Sequence, residues 1–321
     1  MRVLVTGGGG FIGYHLGKKF MGEGHEAVLY DVALRTIDIF EKGQALPRFV
    51  EGTVTDFARL MDAVQENHIE GILHTAAMPK PITCIEQPMQ SFEVNVKGTL
   101  NVLEAARLAH LRVVYLSTQG VYGPTPDMQP LKEERRVNPI TMYSCHKVAS
   151  ETMVDGYRLV YGVDAVTVRP SFVYGPGQNP QNPNAAYTWL VMAMRGEKVD
   201  LPDGADHVFD WTYIKDMVHG IFLACTVRPV KSRLFNISGG KNVTLSELAS
   251  AVMKVVPGSS IKLGPGYTGS VGGAEKGQSV GMRSCADLTR AKEELGYSPK
   301  YTIERGIADY YEWLKKHPPS H

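Results

Sequence analysis

No stretch of this 321-residue sequence stays apolar long enough to cross a bilayer, neither sign of charge dominates, and cysteine is scarce. The first absence sets aside a transmembrane helix, which needs about 20 consecutive apolar residues. Lys and Arg number 34 against 33 Asp and Glu, a net charge of +1 with the signs interspersed. No basic surface therefore points to nucleic acid or a membrane as partner. The four cysteines, Cys84, Cys145, Cys225 and Cys285, lie far apart with no CxxC pair. That excludes a disulfide framework or a zinc site, leaves no metal expected, and fits reduced thiols in a cytoplasmic protein. Internal repeats and low-complexity tracts are missing too, and the loosest composition, Gly/Ser-rich from Gly258 to Gly281, reads as a mobile loop. The sequence opens directly on a strand pattern, so no signal or transit peptide is expected. The length suffices for a full core, as one large domain with a smaller lobe or as two domains.

Glycine is plentiful, and it clusters at the start, in Met1-Arg2-Val3-Leu4-Val5-Thr6-Gly7-Gly8-Gly9-Gly10-Phe11-Ile12-Gly13. The run Val3–Val5 has buried-strand character, and Ile12, Leu16 and Phe20 then recur at helical spacing. Strand, tight turn and helix in this order make a phosphate cradle: glycine lets the backbone approach a phosphate, and the helix N-terminus offers free N–H groups and partial positive charge. Two registers fit, Gly8-x-Gly10-x-x-Gly13 and Gly7-x-x-Gly10-x-x-Gly13. A phosphate-loop reading fails, because Gly17-Lys18-Lys19 lacks the hydroxyl residue after the lysine. Ala27-Val28-Leu29-Tyr30 reads as a second strand closed by Asp31, placed where a carboxylate binds both adenosine ribose hydroxyls and repels a 2′-phosphate. The cofactor expected is NAD rather than NADP, with Arg35 close by as a complication.

Strands and helices then alternate, the pattern of an α/β doubly wound parallel sheet. Strands are expected at 48–51, 71–74, 112–117 and 165–168, with helices at 57–64 and 91–107. After Arg169 the regularity is lost among prolines and glycines; a helix at 187–195, a strand at 207–214, a helix at 216–225 and three later helices follow. One of these opens on the capping box Thr244-Leu245-Ser246-Glu247 and runs through Val255, and the last two span 288–295 and 303–314. The expected division is a dinucleotide-binding domain from 1–170 plus about 207–235, and a discontinuous α/β substrate lobe from about 171–206 plus 236–321. Ligands in such a sheet lie at the carboxyl ends of the strands, where Gly7, Asp31, Thr75, Ser117 and Arg169 gather.

Tyr143 and Lys147, four apart, share a helix face. A free tyrosine is a poor base at neutral pH, but a nearby ammonium and a cationic nicotinamide favour its phenolate. The competing reading is an ordinary exposed Tyr/Lys pair. Motifs along almost the whole chain decide between them: Thr6-Gly7-Gly8-Gly9-Gly10-Phe11-Ile12-Gly13, Asp31, His74-Thr75-Ala76-Ala77, Asn95-Val96-Lys97-Gly98-Thr99, Ser117-Thr118, Val121-Tyr122-Gly123, Tyr143-x-x-x-Lys147, Arg169-Pro170, Tyr174-Gly175-Pro176-Gly177 and Leu295-Gly296-Tyr297-x-Pro299. Together they resemble the extended short-chain dehydrogenases/reductases, the NAD-dependent epimerase/dehydratase family.

The resemblance implies a Rossmann-type fold and catalysis by Tyr143 as base, Lys147 as its activator and ribose anchor, and Thr118 as the hydroxyl that shares the substrate proton. It implies cofactor contacts from Gly7, Gly10, Phe11, Ile12, Gly13, Asp31, Thr53, Val54, Thr75, Ala76, Ala77, Asn95, Ser117, Lys147 and Arg169. Substrate contacts are expected from Lys80, Gln119, Phe172, Val173, Phe209 and Arg283. His74 and Asn95 read as structural residues first. Family dehydratases follow the threonine with Asp-Glu and the decarboxylases place a glutamate there, but this chain has Gln119-Gly120, which disfavours both reactions. Two polar ligands of a nucleotide diphosphate are replaced by Phe172 and Phe209, with Arg283 or Lys276 available to compensate, and Thr53 replaces an adenine-binding aspartate. Hydride transfer at a secondary alcohol of a sugar-type substrate remains. It is epimerase-like and open to a nucleotide sugar, or alternatively a net oxidation or reduction of a non-nucleotide sugar, polyol or sugar acid. A dinucleotide-sensing protein without catalysis is the reading from a different class. Family members pair through two long helices, so a homodimer is expected here, with Met153, Val154, Tyr157 and Val160 as the contact stripe.

Overall fold

The computed structural model describes residues 1–34, 39–40, 43–180, 183–267 and 282–319. Val3, Leu4 and Val5 are fully buried, as a strand covered on both faces requires. They lie in β1 (Arg2–Thr6), which pairs in parallel with β2 (Glu26–Asp31) on one side and β4 (Gly71–His74) on the other. β3 (Arg48–Glu51), β5 (Arg112–Leu116) and β6 (Ala165–Pro170) extend the sheet, and Leu234–Ile237 completes it. Among the described residues the order is Leu234–Ile237, β6, β5, β4, β1, β2, β3, all parallel. The chain reverses direction of travel between β1 and β4, and that crevice is where a sheet of this kind takes its ligand. One core holds Leu16 and Phe20 of helix α1 (Phe11–Gly22) with Met217 and Ile221 of helix Ile214–Thr226. The opposite face buries Leu60, Val102, Leu103 and Val154 from three other helices.

The remaining chain forms three strand pairs: Phe172–Tyr174 with Trp211–Tyr213, Val199–Leu201 with Ile261–Leu263, and Val208–Phe209 with Val243–Thr244. The capping box forms: Thr244 Oγ1 accepts from the Glu247 amide at 3.1 Å and Glu247 Oε2 accepts from the Thr244 amide at 2.7 Å. Several expectations change. The single strand expected over 207–214 is split at Asp210, whose buried carboxylate accepts from Ser238 Oγ, Gly240 N and Ala286 N at 2.6, 2.9 and 2.9 Å. The helix expected over 91–107 is Pro88–Phe92, a wider π turn at Glu93–Lys97, then Gly98–Ala109. The stretch expected as a loop over Gly258–Gly281 contains the strand Ile261–Leu263, and its residues 268–281, Lys276 among them, lie outside the described residues, as does Arg35. Val154, expected on a dimer stripe, is core, whereas Val160 is 73% exposed.

Candidate active site

The glycine turn follows β1 directly. Gly7 alone in it has positive φ, +72°, and its amide donates to Tyr30 O at 2.9 Å. Gly10 N donates to Gly7 O at 3.0 Å and Gly10 is the N-cap of α1, with no side-chain cap bond and no acid in the first turn. The first amides of the helix therefore remain open to an anion, with the helix dipole behind them. A Cβ on Gly13 would lie 2.2 Å from Gly7 O, and one on Gly7 only 2.7 Å from Ala76 N. Gly8 and Gly9 are equally tight against Leu29 and Ala33, so close packing requires glycine in both registers, while the positive φ singles out Gly7. A dinucleotide pyrophosphate fits this cradle, because no side chain stands between it and the amides.

Asp31 ends β2 beside that turn, its Oδ2 accepting from Gly9 N at 3.0 Å and its Oδ1 from Val32 N at 2.7 Å. Thr75 Oγ1 donates to Thr6 O at 2.8 Å, which fixes the Thr75–Ala77 backbone against the glycines. Thr53 Oγ1 meets Thr55 Oγ1 at 2.9 Å, and Val54 is buried under Gly98. His74 is structural: its ring bridges Thr6 Oγ1 at 2.7 Å and Thr99 Oγ1 at 3.0 Å, and burial pushes its pKa down to about 3. Asn95 clamps one backbone unit, accepting from Met78 N at 2.7 Å and donating to Met78 O at 3.2 Å. It therefore holds the Ala76–Met78 loop, and its amide is not left for the cofactor.

Helix Met142–Tyr161 carries Tyr143 and Lys147, capped by Thr141 and Ser144 in a second capping box. Lys147 Nζ donates to Leu116 O at 2.6 Å and lies 5.7 Å from the Tyr143 ring. Burial pushes Lys147 down to about 7, opposed by Glu151, and pushes the Tyr143 phenol up, with Cys84 adding to the rise. The Tyr143 hydroxyl makes no hydrogen bond to a described residue. Ser117 and Arg169, expected at the cofactor, are instead joined to Glu151: Ser117 Oγ donates to Oε1, and Arg169 grips both oxygens at 2.9 and 2.6 Å. Glu151 was not singled out from the sequence, although Tyr143, Lys147 and Glu151 repeat at i, i+4 and i+8 on one face.

A cavity of about 560 Å³ opens in front of Tyr143 and Thr118, between the sheet edge and the strand pair Phe172–Tyr174 with Trp211–Tyr213. Lys80, Gln119, Phe172, Val173 and Arg283 line it, as do Trp189 and Trp211, which the sequence did not single out. Phe209 is a correction: it is not among the lining residues, is 6% exposed, and packs behind Phe172 with ring centroids 4.5 Å apart. Thr118 Oγ1 accepts from Gly120 N at 3.1 Å, which fixes its side chain at the start of the turn Gln119–Tyr122.

The family model for "NAD dependent epimerase/dehydratase family" matches residues 3–238. The chain belongs to the NAD-dependent epimerase/dehydratase family. It is an enzyme of the extended short-chain dehydrogenase type. A UDP-glucose 4-epimerase of Mycolicibacterium smegmatis is 32% identical over 98% of this chain and 99% of its own length. UDP-glucuronic acid decarboxylase 5 of Arabidopsis thaliana is 29% identical over 96% and 87%. The crystal structure of a Thermus thermophilus UDP-glucose 4-epimerase complex with NAD superposes with a TM-score of 0.82 at 27% identity, covering 98% of this chain and 99% of that one. Among the described residues no helix is long and apolar enough to cross a membrane.

Proposed function

We propose that this enzyme catalyses epimerase-like hydride transfer at a secondary alcohol of a sugar-type substrate, with Tyr143 as base. The observation that carries the reading is the Tyr143 hydroxyl, unpaired among the described residues, in the wall of the cavity that Thr118 also lines. NAD bound along the glycine turn would take up the hydride from the carbinol carbon. Thr118 hydrogen-bonds the substrate hydroxyl, Tyr143 takes its proton, and Lys147 steadies the phenolate and reaches the nicotinamide ribose. The Lys147 ammonium is held by Leu116 O at 2.6 Å, and Glu151, itself gripped by Arg169, partly offsets the cost of burying it. Neither Gln119 nor Gly120 supplies the acid that elimination or decarboxylation needs. An epimerase course interconverts two epimers with no acceptor added and no net reduced nicotinamide. Incubation of NAD-loaded protein with paired epimers, followed by chromatography and nicotinamide absorbance, tests this; accumulation of reduced nicotinamide matching substrate consumed would move the assignment to net dehydrogenation.

Net dehydrogenation of a smaller sugar acid has one observation in its favour: Phe172 and Trp211, 5.7 Å apart, make an aromatic wall where a diphosphate would need polar ligands. Asp31 supports the preference for NAD. Asp31→Ser removes the charge that repels a 2′-phosphate, and the preference for NAD over NADP, read as the ratio of their dissociation constants, is expected to fall at least about tenfold, about 1.4 kcal/mol. An unchanged ratio would place the discrimination elsewhere. The exposed apolar residues Leu100, Leu108, Leu159 and Val160 on the two neighbouring helices suit a homodimer, and the four free cysteines suit a cytoplasmic setting.

A further inference from the structure

Gly120, in the cavity wall beside Thr118, has no side chain. The room is taken by a cation. A Cβ on Gly120 would lie 3.2 Å from Arg283 Nη1 and 3.3 Å from Thr118 Oγ1, so the guanidinium and the catalytic hydroxyl converge on one spot. Arg283 makes no hydrogen bond or ion pair with a described residue, and burial pushes its pKa down to about 10, still protonated at neutral pH. Lys80 lines the same cavity, and no Asp or Glu is among the described lining residues.

The segment around Arg283 is fastened at nearly every neighbour. Met282 O accepts from Thr125 N at 2.8 Å, Ser284 N donates to Thr125 Oγ1 at 2.8 Å, and Cys285 N donates to Asn242 Oδ1 at 2.7 Å. Gln119 completes the tie, donating to Ser284 O at 3.2 Å while Ser171 Oγ donates to its Oε1. A guanidinium carried on so firmly held a backbone, with no counter-ion among the described residues, suits a planar anion.

We propose that Arg283 is a specificity-determining residue that binds a carboxylate on the substrate, next to the carbon that is oxidised, so that the substrate is a sugar acid. The inference rests on the hydride-transfer reading for the position of the reacting carbon. Closeness to Thr118 Oγ1 favours a carboxylate over a diphosphate, because the diphosphate of a nucleotide sugar is attached across the ring from a hydroxyl at its 4-position. The sugar acid can be free or nucleotide-linked, since both present the same carboxylate.

Calorimetric binding to NAD-loaded protein tests this without relying on turnover. The probes are D-glucuronate and D-galacturonate against their uncharged amides, and UDP-glucuronate against UDP-glucose. The acid is expected to bind roughly 30-fold tighter than its neutral counterpart in at least one series, equivalent to about 2 kcal/mol, and the series that binds distinguishes free from nucleotide-linked substrate. In Arg283→Met that preference is expected to vanish while affinity for neutral probes changes less than about threefold, and Arg283→Lys is expected to restore part of it. The wild-type comparison stands even where a variant fails to fold. No acid preference in either series, or equal loss for acid and neutral probes in Arg283→Met, overturns the proposal. A clear acid preference in a protein that never reduces NAD would leave it standing and count instead against hydride transfer.

Discussion

Replacement of Lys147 by methionine is expected to abolish turnover while making the NAD-free protein harder to unfold. Lys147 is 2% exposed and its pKa falls from 10.5 to about 7, mainly through burial. A lysine lowered in this way favours the unfolded state wherever it is charged there. Between pH 7 and about 10.4 the unfolded chain holds a proton that the folded chain has released, so stability rises with pH through that window. Below pH 7 both states are protonated and the full cost of the buried ammonium is present. The gain from Lys147→Met is therefore greatest at and below neutral pH. A shift of that size corresponds to about 4–5 kcal/mol at most. The lost hydrogen bond to Leu116 O returns part of it, which leaves roughly 2–3 kcal/mol. Glu151 is not stranded by the change, because Arg169 still grips both its oxygens. Denaturant unfolding at pH 6 and pH 9.5 checks the account: the variant's advantage shrinks at the higher pH. An advantage of the same size at both would show that burial of the ammonium is not its source.

Tyr143→Phe is expected to lower kcat by about 10²–10⁴-fold, the range of a lost general base, with little change in stability. The hydroxyl makes no hydrogen bond to a described residue, so its removal costs the fold no partner. Its phenol is held above the usual range by burial, and Cys84 adds to this. The phenolate therefore forms only when cationic charge arrives, and Lys147 and the oxidised nicotinamide are the two sources within reach. Steady-state kinetics together with a melting curve separate this from misfolding: an inactive Tyr143→Phe that melts well below the parent would remove the catalytic interpretation.

The strands β1 to β6 were legible because each is a short apolar run that a doubly covered sheet demands, and the turn because glycine is forced there by contacts as close as 2.1 Å. Leu234–Ile237 escaped notice as the seventh strand. Its Asn236 is fully buried yet polar, satisfied by Tyr122 Oη at 2.9 Å and Leu131 O at 2.7 Å, and such partners lie more than 100 residues away in sequence. The same distance explains Ser117 and Arg169. Their place at the carboxyl edge was readable, but the pairing with Glu151 depends on a helix crossing behind them. Phe209 and Phe172 looked alike in the sequence. The break at Asp210 sends them into different strand pairs, and only Phe172 reaches the cavity.

The central claim is that hydride leaves a sugar carbon for NAD as Tyr143 takes the proton. Rapid mixing of NAD-loaded protein with the sugar selected by the binding panel, recorded at the absorbance of reduced nicotinamide, measures that step directly. Reduced nicotinamide is predicted to form within one turnover in the wild type and to form at least about a hundred times more slowly in Tyr143→Phe. Product formed in the wild type with no reduced nicotinamide at any time, or equal rates in the two proteins, would contradict it.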